Sequence, residues 1–238
     1  MGTYKEIRGT HIVSVTSDPP SPVNGQMWYN STDRAIKGSK SNPAGVWASS
    51  TAMNTGRNLL GASGTSTAAL AFGGQTAPGG VTAVTENWNG TSWTEVNDLN
   101  TARGQHAGFG TSTAALATGG VTPPSNTLRN ETESWNGSSW TEVNNLNTAR
   151  RYLTGAGTVP NGLVFAGYTT ANSALTESWN GSSWTEKSDL NTGVRYLAGS
   201  GNASSALAIG GDSVPGEATT AVEEWTAPAT STVTFTVS

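Results

Sequence analysis

The sequence predicts an all-β chain of stacked repeats, and three observations carry that expectation. A unit of about 45 residues recurs four times. Gly, Ser, Thr and Asn dominate, yet the chain keeps nine tryptophans and is only 12% charged, which fits many short strands and tight turns rather than disorder. No segment sustains a helical period.

The repeats align on Asn-Thr: NTGRNLLGASGTSTAALAFGG from Asn54, NTARGQHAGFGTSTAALATGG from Asn100, NTARRYLTGAGTVPNGLVFAG from Asn147 and NTGVRYLAGSGNASSALAIGG from Asn191, with starts 46, 47 and 44 residues apart. Each copy ends in a Gly doublet, or in Ala166-Gly167, and runs on into a loop of variable length. Then come TENWNGTSWTEVNDL, TESWNGSSWTEVNNL, TESWNGSSWTEKSDL and the divergent VEEWTAPATSTVTF. Short apolar runs at 68–72, 114–117, 163–165 and 206–209 read as strands buried on both faces, their small side chains letting strands converge near an axis. Between the paired tryptophans at 88–93, 135–140 and 179–184 sits Asn-Gly, a dipeptide that takes the positive φ angles of a tight hairpin.

Four short strands per unit is the arithmetic of a β-propeller blade, which cannot bury both faces without neighbours. A Gly doublet closing one strand, a Trp further on and an Arg opening the next unit resemble the kelch-type propeller family over residues 47–225. The chain departs from that pattern at Ala166-Gly167, at Val194 in the Arg column, and in its second Trp only five residues after the first. Phased from Trp to Trp, 47–88, 93–135, 140–179 and 184–225 make four blades, leaving 232–237 as a further strand. Strand-like stretches at 11–16, 26–30 and 34–38 add three more. The expected architecture is therefore five blades of four antiparallel strands, the fifth built from both termini so that no sheet edge stays open. In this scheme 1–46 completes the ring or serves as an attachment arm, 47–225 holds four tandem kelch-like blades, and 226–238 carries the closing strand.

Little in the chain predicts catalysis. Net charge is -4 with no basic cluster, which excludes the footprint of a nucleic-acid binder. No cysteine is present, no stretch reaches membrane-spanning length, and the first 20 residues lack the pattern of a signal peptide. His106 falls in the column of Leu60, Leu153 and Leu197, and His11 has no acid or nucleophile partner in sequence. Acids recur by column, Glu86, Glu133, Glu177 and Glu223 before the first Trp and Glu95, Glu142 and Glu186 after the second, which argues for architecture, through strand-face hydrogen bonds or pairing with Arg57, Arg103 and Arg150. Asp98, Asn145 and Asp189 share a column without calcium-loop spacing, and GASGT and GAGT lack what a phosphate loop needs. The expectation is a non-enzyme without catalytic residue, cofactor or metal. Six Asn-x-Ser/Thr sequons occur, three of them at the hairpin Asn-Gly where turn chemistry accounts for the Asn.

Binding is the remaining function class. Exposed indoles can stack on a sugar face, so the candidate ligand-binding set is Trp93, Trp140 and Trp184 with Arg57, Arg103 and Arg150. The competing reading packs the same tryptophans between blades. Loops 75–82, 121–130, 168–173 and 212–220 vary while the frame repeats, and in a propeller they gather on one face as a contact surface.

A second resemblance lies in SDPPSPVNGQMWYNSTDRAIKG, residues 17–38. It is similar to a Pro-x-x-Gly-x-x-Trp-Tyr-Asn-x-Thr segment, read as a hairpin, of bacteriophage tail-fibre and other virion proteins. Together with the Asn-Thr-Ala-Arg repeats it resembles kelch-like phage virion proteins. That resemblance implies a structural protein of the virion, extracellular after release, binding a host-surface glycan or protein or neighbouring virion proteins. The alternative is a multivalent carbohydrate-binding propeller lectin using the repeated tryptophans.

Overall fold

A computed structural model describes residues 12–21, 26–38, 47–124, 126–214 and 216–228. The chain divides into two compact units, 1–49 and 50–238. Every regular element among the described residues is a β-strand, and no helix there is long and apolar enough to cross a membrane.

In the first unit β1 (Val13–Val15), β2 (Met27–Asn30) and β3 (Ala35–Gly38) form one sheet in that order. The β2–β3 hairpin fits the expectation for its motif. Asn30 Oδ1 accepts from the amides of Thr32 and Asp33 and thereby caps the turn. Asp18 ties the sheet together, accepting from Trp28 Nε1 at 3.0 Å, Asn30 Nδ2 at 2.8 Å and Lys37 Nζ at 2.8 Å. Lys37 first, then Asn30 and Trp28, hold the Asp18 carboxyl down at about 2. β1 runs parallel to β2, with Val13 opposite Trp28, so these strands do not make the all-antiparallel set expected of a fifth blade. The expected closing strand, 232–237, lies outside the described residues.

The second unit is built from the repeats. The first contributes β4 (Gly61–Thr65), β5 (Ala68–Phe72), the short pair β6 (Gln75–Thr76) and β7 (Gly80–Val81), then β8 (Thr85–Trp88) and β9 (Trp93–Val96). The second contributes β10 (Ala107–Gly110), β11 (Ala115–Thr118), β12 (Val121–Thr122), β13 (Thr127–Leu128), β14 (Thr132–Trp135) and β15 (Trp140–Val143). The third has β16 (Thr154–Thr158), β17 (Asn161–Phe165), β18 (Thr176–Trp179) and β19 (Trp184–Glu186). The fourth has β20 (Ala198–Gly201), β21 (Ser205–Ile209), β22 (Asp212–Val214), β23 (Glu217–Ala218) and β24 (Val222–Thr226). The first three make four-stranded antiparallel meanders, β4-β5-β8-β9, β10-β11-β14-β15 and β16-β17-β18-β19, whereas the fourth sheet is three-stranded, β20-β21-β24.

The phase corrects the Trp-to-Trp count. Trp88 pairs with Trp93, Trp135 with Trp140 and Trp179 with Trp184, so both tryptophans of a hairpin belong to one sheet. The turn between them is too short to carry the chain elsewhere. Its chemistry also differs from the expectation: only the glycine has positive φ, 93° at Gly90, while Asn89 Oδ1 accepts from the amides of Thr91 and Ser92, both at 2.9 Å.

First strands of consecutive sheets lie together, β4 beside β10, β10 beside β16 and β16 beside β20. Glycine makes that approach possible: a Cβ on Gly108 would sit 2.7 Å from the Phe72 ring and 2.9 Å from Gly61 Cα. Each interface then interlocks large and small side chains. Leu70 and Phe72 meet Ala115, Ala117, Trp135 and Trp140, and Leu163 and Phe165 meet Ala206 and Ala208. No comparable contact joins β20 to β4, so among the described residues the four sheets make an open arc. The free face of the fourth sheet shows it, with exposed Leu207 and Ile209 alternating with buried Ala206 and Ala208.

Candidate functional site

The residues proposed from the sequence to meet a ligand are largely frame. Trp140 and Trp184 are buried, and each indole donates across the interface to a threonine of the preceding sheet, Thr85 and Thr132, both at 3.0 Å. Trp93 is half-buried. The side chains of Arg57, Arg103 and Arg150 are fully buried against Glu86 (3.0 Å), Glu133 (2.6 Å) and Glu177 (2.5 Å). These arginines and the two indoles are therefore packed within the frame.

Each Glu does more than pair. Glu133 accepts from the amides of Asn100 at 2.6 Å and Thr101 at 3.2 Å, fixing the Asn-Thr turn that begins its repeat. Asp98, Asn145 and Asp189, the column without calcium spacing, accept from the amides of Thr85, Thr132 and Thr176. Both columns are architecture. Among the described residues no three His, Asp or Glu side chains converge as metal ligands.

A different set gathers where the arc turns inward. Leu59, Gln105, Tyr152 and Tyr196 occupy one column and share a left-handed backbone, with φ of 49°, 60°, 56° and 57°. Such angles cost a non-glycine residue on the order of 1 kcal/mol. A chain of backbone hydrogen bonds holds them: Gln105 N donates to Leu59 O at 2.9 Å, Tyr152 N to Gln105 O at 2.8 Å and Tyr196 N to Tyr152 O at 3.3 Å. Their side chains and the next residue of each repeat line a cavity of about 270 Å³.

The variable loops are rooted at the same place. Isolated bridges join the residue before each left-handed position to the start of its loop: Asn58 to Gln75, Gly104 to Val121, Arg151 to Tyr168 and Arg195 to Asp212. The loops thus leave the frame beside the strained column.

Here the repeat symmetry breaks. The first two copies carry Asn58-Leu59 and Gly104-Gln105, the third and fourth Arg151-Tyr152 and Arg195-Tyr196. The Tyr152 and Tyr196 rings lie 4.0 Å apart. Arg151 stacks over Tyr152 at 4.9 Å and Tyr168 at 5.3 Å, and Arg195 over Tyr168 at 5.2 Å and Tyr196 at 5.3 Å. Asp212 is 3.8 Å from Arg195, a loose counter-charge. Burial, then the adjacent Tyr152 hydroxyl, push the Tyr196 phenol up to about 12, so it stays a neutral donor at pH 7. Gln105 Oε1, buried in the wall, has no hydrogen-bond partner. Flat rings, paired guanidiniums and a free acceptor can together stack on and hydrogen-bond a polar ligand. The doubled Arg-Tyr dipeptide is the signal by which the sequence could have located this cluster.

His106, in the leucine column, is packed as its neighbours are: it is buried, 5.7 Å from the Phe72 ring. Burial, then the Arg103 and Arg57 charges, hold its pKa down at about 3. The unfolded chain titrates near 6.5. As pH falls from about 6.5 toward about 3, only the unfolded state takes up this proton, and folding loses up to about 1.4 kcal/mol per pH unit. His106→Leu should remove that part of the acid sensitivity and raise stability at pH 7. Urea midpoints at pH 7 and pH 4 check it, and a variant losing as much as the parent on acidification would contradict it.

No protein-family model and no curated protein matches this chain, so the chemistry of the site is read from its own atoms.

Proposed function

We propose that this chain is a non-enzymatic, kelch-like β-propeller protein of a bacteriophage particle, whose loop face binds a host-surface glycan or protein or a neighbouring virion protein. The four repeat sheets are its blades. One observation carries the binding role: an Arg-Tyr cluster that breaks the repeat symmetry stands at the root of the variable loops, on strained backbone. Strain of this kind persists where a fixed side-chain geometry is put to use. The virion setting rests on the two sequence resemblances.

The experiment is binding of the full chain to host cells and to a glycan array, beside a Tyr152→Ala, Tyr196→Ala double variant. The expected result is at least about a tenfold loss of binding, as removal of hot-spot aromatics gives, at an unchanged melting temperature. Full binding by a folded variant would move the function away from this face. The second reading, a carbohydrate-binding lectin, is favoured by the exposed Tyr196 ring against Tyr152, and here it uses one asymmetric site instead of repeated tryptophans. Saturable binding to isolated glycans selects it, and binding only to particle proteins discards it.

A further inference from the structure

Three repeats fill with an arginine a position that the fourth leaves as a cavity. In the second repeat Glu133 accepts from Asn100 N at 2.6 Å, Asn100 Nδ2 at 2.9 Å and Thr101 N at 3.2 Å. In the fourth, Glu223 accepts from Asn191 N at 2.7 Å, Asn191 Nδ2 at 2.9 Å and Thr192 N at 3.2 Å. The clamp is the same and the cation is missing. Arg57, Arg103 and Arg150 are followed in that column by Val194, which is buried and carries no charge.

The other acceptors that a guanidinium would meet are kept as well. Arg103 donates to the carbonyls of Gly119 and Glu131, and Arg57 to those of Ala71 and Val84. Their counterparts in the fourth repeat are Gly210, Ala221 and Ala208. Those three residues, with Thr192, Val194 and Glu223, wall a cavity of about 220 Å³ that has no Lys or Arg in its lining. A carboxylate held by three N–H donors and backed by carbonyls in fixed positions is preorganised for a planar cation, which takes several acceptors at once where an ammonium takes one direction per proton.

We propose that this cavity is a binding site for a guanidinium group, free or at the end of an arginine side chain presented by a partner. Three filled repeats supply the template for the ion pair and the first two the template for the carbonyl contacts: the cation enters beside Val194, pairs with Glu223 Oε1 and donates further N–H groups to the backbone carbonyls.

The test titrates the full chain with methylguanidinium and with methylammonium at equal ionic strength and millimolar concentration, following binding by calorimetry and the melting temperature. Saturable binding of methylguanidinium, with methylammonium at least about tenfold weaker, is the expected result. Val194→Arg should fill the site from within, raising the melting temperature and abolishing the titration, and Glu223→Gln should weaken binding about tenfold or more. If Glu223→Gln does not fold, Val194→Arg alone decides. Equal responses to the two cations, no saturation, or undiminished binding in Val194→Arg would overturn the proposal. L-Arginine separates the sources: binding tighter than methylguanidinium assigns the free amino acid, and weaker binding assigns a side chain of a partner.

Discussion

Glu133→Ala should destabilise the chain by about 3–5 kcal/mol, the cost of leaving one member of a buried ion pair behind. Arg103 is fully buried, and its guanidinium bonds otherwise only to neutral carbonyls of Gly119, Glu131 and Thr101. Without the carboxylate its charge stays in the interior uncompensated, and the amides of Asn100 and Thr101 lose their acceptor. Against a total stability of about 5–15 kcal/mol such a loss is a large fraction. The fourth repeat is an internal control: among the described residues Glu223 faces no arginine, and it is only half-buried, so Glu223→Ala should cost much less. Urea midpoints measured at constant m-value check both. Equal losses at Glu133 and Glu223 would mean that the amide clamp, and not the buried pair, carries the energy. Arg103→Met combined with Glu133→Leu should recover part of the loss, because removing both charges removes the desolvation penalty.

That contrast also explains what was legible in the sequence. Whatever recurred was visible: the Trp hairpins, the Glu and Arg columns and the alanine-rich strands all predicted stacked β units, and the structure contains them. Trp140, Trp184, Arg103 and Arg150 recur as buried filler and clamp of the first interfaces. The residues that break the pattern, Arg151-Tyr152 and Arg195-Tyr196, are those on which the proposed binding role rests. The left-handed backbone at Leu59, Gln105, Tyr152 and Tyr196 was not readable, since none of these residue types favours that conformation and tertiary hydrogen bonds impose it. Nor was the phase of the sheets. Asn-Gly joins two strands wherever it stands, and whether both lie in one sheet depends on pairing that only the Trp-to-Trp register reveals.

Trp140→Ala should be the second severe substitution, at about 3–5 kcal/mol for the cavity left by a buried indole. The ring sits 4.8 Å from Phe72 and 5.4 Å from Trp135, bridging the first two sheets, and its Nε1 donates to Thr85 Oγ1 at 3.0 Å. Trp140→Phe keeps much of the packing and should lose mainly the hydrogen bond and some area. Thr85→Val leaves the same N–H buried without an acceptor, at about 1–3 kcal/mol. The third interface tests the assignment from the other side. After Trp225 the fourth repeat has no second tryptophan, and a cavity of about 260 Å³ lined by Phe165, Thr176 and Trp225 lies between the third and fourth sheets. Thr176 occupies the place of Thr85 without an indole opposite, so Thr176→Val should cost clearly less than Thr85→Val. Equal costs would show that these threonines act through their own strands, and the indole bridge would then contribute packing alone.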